Sequence, residues 1–162
     1  MVLEFLEAEF ARAGVQVVPP VPGPVPLQGD QDLLHDVLVN LLLNAVQALE
    51  TVERPRVLTV RLFGRASAHA ISPAATAMPA VGTGSVWTVL EVEDNGPGIA
   101  PEAMPMLFEP YFTTKARGTG LGLVVARSIV QEHGGWLDAR NAAAGGAVFR
   151  LVLPPAQQEP NG

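Results

Sequence analysis

From Asp30 to about Glu50 the apolar residues Leu33, Leu34, Val37, Leu38, Leu41, Leu42, Ala45, Val46 and Leu49 recur at helical spacing. That period predicts a helix packed on a core, with Asp30 as its N-cap. Leu121 to His133, apolar on most faces, predicts a second helix, stopped at Gly134-Gly135 where a glycine can take the left-handed conformation. Elsewhere the period is two. Val86, Thr88, Leu90 and Val92 alternate with Trp87, Val89, Glu91 and Glu93, a half-buried strand that runs into Asp94. Leu58, Val60 and Leu62 alternate with Thr59 and Arg61 in another strand. Val15 to Val18, Trp136 to Ala139 and Ala147 to Leu153 complete the strand set, the last two joined through Gly145-Gly146.

Between these elements the composition shifts. Pro19 to Pro26 is a proline-rich connection, and Gly64 to Ser85 is Ala, Pro, Ser, Thr and Gly with almost no large apolar residues, which predicts a mobile insertion between antiparallel strands. Leu3, Leu6 and Phe10, at i, i+3 and i+7, mark residues 1–14 as the end of a preceding helix or a linker; a short overhang of no consequence fits the same pattern. The last residues, 155–162, form a disordered tail.

The polar exceptions are more informative than the apolar rule. On the first long helix Asp36, Asn40, Asn44 and Gln47 fall within roughly an 80° sector at about 100° per residue. A solvated helix face would look similar, yet this one is short of charge: Asp32 and Asp36 are the only ionised residues between Gln31 and Leu49. Asparagine competes for backbone hydrogen bonds inside a helix, so two at i and i+4 suggest side chains with a task. A neutral carboxamide oxygen suits a hard cation already loaded with phosphate oxygens, which makes Asn44 the candidate magnesium ligand.

Two glycine-rich segments follow. Asp94-Asn95-Gly96-Pro97-Gly98 sits at a strand end, where it reads either as an ordinary turn or as a carboxylate aimed at an exocyclic amine such as that of adenine. Gly118-Thr119-Gly120-Leu121-Gly122-Leu123 opens a helix, where unpaired N–H groups and the positive end of the dipole suit phosphate. The spacing matches neither a dinucleotide fingerprint nor a P-loop, since no Gly-Lys-Ser/Thr follows.

Composition bounds the class. At 162 residues and 48% hydrophobic content the chain is one domain with a proper core. The absence of cysteine excludes a disulfide scaffold and cysteine-ligated zinc. A net charge of −6 argues against bulk electrostatic binding of nucleic acid. No run of 18 apolar residues appears, and the glutamates in the opening MVLEFLEAEFARAG are wrong for a signal peptide. The expectation is a cytoplasmic domain without membrane insertion of its own, whether or not a parent protein is anchored.

In order along the chain, HDVLVNLLLNAVQAL (His35 to Leu49), DNGPGI (Asp94 to Ile99), LFEPYFTTK (Leu107 to Lys115) and GTGLGL (Gly118 to Leu123) resemble the N, G1, F and G2 boxes of the histidine-kinase and Hsp90-like ATPase superfamily. The resemblance spans roughly Val15 to Pro154 and looks like the catalytic domain of a two-component sensor histidine kinase. It implies an α+β fold: a two-layer sandwich of the Bergerat type, with a mixed, mostly antiparallel sheet covered by helices on one face. Residues 15–154 would be the ATP-binding domain, 64–85 its insertion and 100–117 its ATP lid.

The same resemblance implies roles. Asn44 would hold Mg2+, Asn40 would line the phosphate side, and both would be the catalytic pair. Asp94 would bind the adenine amine in a pocket shaped by Gly96, Gly98 and Ile99. Gly118, Thr119, Gly120, Leu121, Gly122 and Leu123 would form the hinge and phosphate contacts, with Phe108, Thr114 and Lys115 contributed by the lid. Phe108 and Phe112 also read as packing anchors, and Lys115 or Arg117 either as cations that reach the terminal phosphates or as solvated loop residues.

The implied activity is transfer of the γ-phosphoryl group of ATP to a histidine on separate dimerisation helices, and through them to a response regulator. Gyrase, mismatch-repair, chaperone and anti-sigma relatives often carry glutamate where this chain has Asn40, which favours the histidine-kinase branch. The alternative is a nucleotide-gated regulatory module or an anti-sigma-like kinase. The chain has three histidines, His35, His69 and His133. His35-Asp36 lies on the N-box helix without the proline that usually follows a phosphoacceptor, His69 lies in the insertion, and His133 ends a helix where it complements the dipole.

Overall fold

The computed structural model describes residues 2–23, 25, 29–53, 55–65, 86–113 and 118–155. Its elements are α1 (Val2–Phe5), α2 (Glu7–Ala13), β1 (Val15–Val18), α3 (Gln31–Leu49), β2 (Arg56–Arg65), β3 (Trp87–Asp94), α4 (Gly122–Glu132), β4 (Trp136–Asn141) and β5 (Ala147–Leu153). A 3-10 turn covers Met104–Met106. The five strands form one sheet in the order β1-β2-β3-β5-β4, with β1 parallel to β2 and every other pair antiparallel.

The periodicities explain these elements. Asp30 caps α3 by accepting from the N–H groups of Asp32 and Leu33 at 3.0 and 3.1 Å. Val37, Leu41, Leu42, Ala45, Val46 and Leu49 are fully buried and join Leu58, Val60, Val92, Phe149 and Leu151 of the sheet in one core, with Ala126 and Val130 of α4. By length and composition α3 could cross a membrane, but its apolarity is accounted for by packing against both the sheet and α4. At its C-terminal end the Arg56 guanidinium donates to the carbonyls of Val52 and Glu50, and also to that of Ala13 at the end of α2. One cation thereby serves the orphan carbonyls of two helix ends.

Three features differ from the sequence expectation. Residues 2–13 form two short helices that meet at Leu6, and Leu6, Phe10 and Ala13 are buried in the main core, so this segment packs as part of the domain rather than as an overhang. β3 is not half-buried: Trp87, Thr88, Val89, Glu91, Val92 and Asp94 are all buried, because β3 lies between β2 and β5 and both its faces are covered. Trp87, Val89 and Val152, with Phe63 and Trp136, make a second apolar cluster. By pleat alternation it lies on the face opposite the helices. Beside it, in register, Arg61, Glu91 and Arg150 form a charged row in which Arg150 donates to the buried Glu91 at 2.9 Å. Lastly, β2 continues through Gly64 and Arg65, which the sequence reading assigned to the insertion. The rest of that insertion, 66–85, and most of the tail lie outside the described residues.

Leu41 is wholly buried where α3 meets the core, whereas Val125 on α4 is 49% exposed. Leu41→Ala is expected to lower unfolding stability by about 2–5 kcal/mol through lost burial and a residual cavity. Val125→Ala should stay within about 0.5 kcal/mol of the parent. Urea unfolding of the two variants checks the assignment, and similar losses at both would contradict it.

Candidate nucleotide site

Between α3, the ends of β3 and β5, and the segment that leads into α4 lies a cleft of about 510 Å3, a size usual for small-molecule sites. Three of the four polar-stripe residues, Asn40, Asn44 and Gln47, line it, with Leu43 and Ala48 between them on the same helix face. Asp36 does not; its side chain is 74% exposed. Asp94 is the only formally charged side chain among the described lining residues.

Asp94 is 2% exposed at the last position of β3. Burial pushes its carboxyl above the ordinary aspartate range, against the backbone N–H groups of Gly96 and Ala147, which favour the ionised form, and with a further upward push from Glu93. Both N–H groups donate to the same oxygen, Oδ1, at 2.9 and 3.3 Å. The site depends on close backbone approach here. A Cβ on Gly146, whose φ is +90°, would stand 1.8 Å from the Asp94 carbonyl oxygen. No side chain fits.

The other wall is the N-terminal end of α4. No side chain caps this helix and its first turn holds no acid, in contrast to α3. Its first amide donors and positive dipole end therefore carry no side-chain cap or acidic partner in that turn. Gly122 is the first residue of α4, and a Cβ there would meet Asn40 Oδ1 at 2.5 Å. Gly120, at φ +69°, lies so close to the Tyr111 backbone that a Cβ would stand 2.4 Å from it, and the Tyr111 N–H donates to the Gly120 carbonyl at 3.0 Å. That bond brings together the two ends of the stretch that contains residues 114–117.

Of the residues expected from the sequence, Asn40, Asn44, Asp94, Gly98, Ile99, Gly118, Thr119, Gly120, Gly122 and Leu123 are brought to the cleft. Three stand off it. Gly96 acts one step back, through its N–H to Asp94. Phe108 packs against the core with the Arg127 guanidinium 5.3 Å from its ring centre. Leu121 is 37% exposed, its N–H turned to the Thr119 hydroxyl. Phe112, read as an anchor, lines the cleft with Thr113 instead. Thr114, Lys115 and Arg117 lie outside the described residues.

Sequence reasoning passed over Leu43, Ala48, Ala103, Leu107, Ala147 and Phe149 of the lining. The first two were available from helical periodicity, since they lie three or four positions from Asn40, Asn44 or Gln47. The others carry no local signal. His133 also differs from its expected part. Its Nδ1 bonds the Ile129 carbonyl at 2.7 Å and its Nε2 accepts the Asp30 N–H at 3.0 Å, so the ring bridges α4 and the start of α3. His35 rests edge-on against Phe5 at 5.6 Å.

A family profile described as histidine kinase-, DNA gyrase B- and HSP90-like ATPase matches residues 29–157. The chain belongs to that family. It is 41% identical over 133 residues to sensor histidine kinase ZraS of Klebsiella oxytoca, covering 82% of this chain and 24% of that protein. It is 36% identical over 137 residues to sensor protein FixL of Bradyrhizobium diazoefficiens, covering 85% and 23%. The chain thus spans about a quarter of the length of these curated relatives. In fold it matches the nucleotide-free catalytic domain of histidine kinase ThkA, with a TM-score of 0.71 at 24% identity over 95% of this chain and 89% of that one. The mycobacterial sensor histidine kinase MprB matches at a TM-score of 0.70 and 25% identity over 97% and 93%. The α+β sandwich expected from the sequence is the observed fold.

The state of Asp94 has a measurable consequence. A carboxyl whose pKa is raised by burial contributes stability that is fully present below the pKa of the unfolded chain and is lost as pH rises through the folded value. Asp94→Asn, in the protein without ligand, should therefore raise the melting temperature at neutral pH, and the gain should shrink as pH falls below the usual aspartate range. Destabilisation of equal size at every pH would show that the bonds to Gly96 and Ala147 outweigh burial.

Proposed function

We propose that this chain binds Mg-ATP and delivers its γ-phosphoryl group to a histidine on a separate helical domain. The observation that carries this reading is the convergence of Asn40, Asn44, Asp94 and the Gly118–Gly122 segment on one cleft. The adenine amine would donate to Asp94 Oδ2, since Oδ1 already takes two backbone donors. Ile99, Leu107 and Phe149 supply apolar wall for the base, and the uncapped start of α4 supplies N–H groups for phosphate oxygens.

The donor set fits magnesium held largely by its substrate. Among the described residues no group of three or more His, Cys, Asp or Glu could form a protein-built metal site. Asn44 is a neutral oxygen donor in the cleft, as suits an ion whose remaining ligands are phosphates and water. When bound, the ion would neutralise charge on the terminal phosphates. Asn40 lines the same side. A carboxamide is a feeble proton acceptor, so Asn40 is suited to orient rather than to activate water. Transfer would then depend on positioning, with the nucleophile brought by its own domain.

Neither described histidine lines the cleft: His35 meets Phe5 and His133 bridges α3 and α4. The acceptor in this reading is a histidine of the dimerisation helices, with a response regulator downstream. The relatives' names, sensor histidine kinase and sensor protein, support that placement. A cytoplasmic location follows for a domain that uses ATP.

Two measurements test the proposal. Asn44→Ala should weaken binding about ten- to hundredfold with magnesium and far less with chelator, whereas Asp94→Asn should lose a similar factor for adenine nucleotides in both conditions. Equal losses for Asn44→Ala in the two conditions would remove it from the metal role. With γ-labelled ATP the chain alone should release phosphate very slowly, and addition of the cognate helices should produce acid-labile label on the helical fragment. Robust release without a partner would point to a self-contained ATPase. Failure to label the helices under conditions where ATP binds would point to a nucleotide-gated regulatory module.

A further inference from the structure

We propose that Asn141, which lies outside the cleft, is a positioning residue for nucleotide binding, because its carboxamide holds the Ile99 backbone and fixes the loop from Asp94 into the lid. Asn141 is the last residue of β4, paired with Ala147 of β5. Its Oδ1 accepts the Ile99 N–H at 2.7 Å and its Nδ2 donates to the Ile99 carbonyl at 2.8 Å. One side chain supplies both bonds of a β-bridge, which needs a donor and an acceptor side by side at the end of a short stem.

The surroundings are built for this contact. Gly98 takes φ +78°, and a Cβ there would stand 2.9 Å from Asn141 Oδ1, so the carboxamide occupies space that any other residue at 98 would fill. The same hairpin end grips the other end of the loop, through the Ala147 N–H on Asp94 and the close packing of Gly146 on the Asp94 carbonyl. Asn95 repeats the device on the opposite flank, accepting from the Val57 N–H at 2.8 Å and donating to the Pro55 carbonyl at 3.0 Å. The loop from Asp94 to Ile99 is thus held at its ends by one hairpin and from the side by β2. Gly98 and Ile99 line the cleft, and Ala100 and Ala103 follow directly. Without the clamp the Ile99 N–H and carbonyl turn to water, and a ligand has to order the loop as it binds.

The inference rests on the nucleotide reading of the cleft, and the experiment separates the two. Amide exchange of the unliganded chain is followed for Ile99 and for β3, beside binding of ADP in chelator and of ATP in magnesium. Asn141→Ala should release the Ile99 amide while β3 protection stays at its wild-type level. It should also weaken both nucleotides about tenfold. Asn141→Asp keeps an acceptor for the Ile99 N–H but no donor for its carbonyl, and should restore protection of that amide and recover part of the affinity. Wild-type affinity in Asn141→Ala, an unchanged Ile99 amide, or a loss seen only with magnesium would overturn the positioning role. If Asn141→Ala fails to fold, Asn141→Asp must bind ADP more weakly than wild type at unchanged β3 protection; wild-type affinity there overturns the proposal. A wild-type chain that binds neither nucleotide overturns the reading of the cleft itself, whereas released Ile99 with unchanged affinity overturns the Asn141 role alone.

Discussion

The arrangement of this domain turns on a carboxylate placed where a carboxylate is costly to keep. Asp94 ends a strand buried on both faces, and among the described residues two backbone N–H groups, not a cation, bond its carboxyl. Much of the neighbouring backbone follows from that requirement. Gly146 must lack a side chain for the β4–β5 turn to come near enough, Ala147 must present its N–H, and Gly96 must fold back toward Oδ1. A buried acceptor with one oxygen already engaged is a selective partner for a ligand donor, because a ligand without one leaves it unsatisfied.

Opposite Asp94, α3 meets two demands. It covers the sheet with residues that are wholly buried, and it turns a neutral polar stripe to the cleft. Its position is determined at both ends. His133 and the Asp30 side chain satisfy groups at its start, and Arg56 satisfies the carbonyls at its finish. Gly122 lets α4 approach Asn40 closely, so the carboxamide stands against the helix start whose N–H groups face the cleft. The two helices thereby place polar groups within one cavity without bringing further charge into it.

The N-terminal helices and the second face of the sheet lie away from the cleft, yet both add buried apolar surface to the domain. Leu6, Phe10 and Ala13 extend the main core, and Trp87, Val89 and Val152 close the other side of the strand. Arg61, Arg140 and Arg150 surround Glu91, so a second buried carboxylate is paired with guanidinium groups, an arrangement Asp94 does not share among the described residues.

The local periods of the chain determined the two long helices, four of the five strands to within a residue or two at most ends, and the polar stripe, because side-chain burial repeats every 3.6 or 2 residues whatever the surroundings. The glycine pair after the second long helix marked Gly134 as a place for a left-handed backbone, and the structure has it there. Tertiary structure alone decided the rest. The two-sided burial of β3 depends on its neighbours in the sheet, which a strand's own sequence does not encode. That Phe108 faces Arg127 while Phe112 lines the cleft depends on where α4 and the cleft walls stand in the folded chain. Asn141 gave no signal, since an asparagine at a strand end is ordinary until the fold carries Ile99, 42 residues away in the chain, into hydrogen-bonding distance. Contacts between distant segments arise only when the whole chain closes around its core, and for that reason the pocket was legible as motifs but its supports were not.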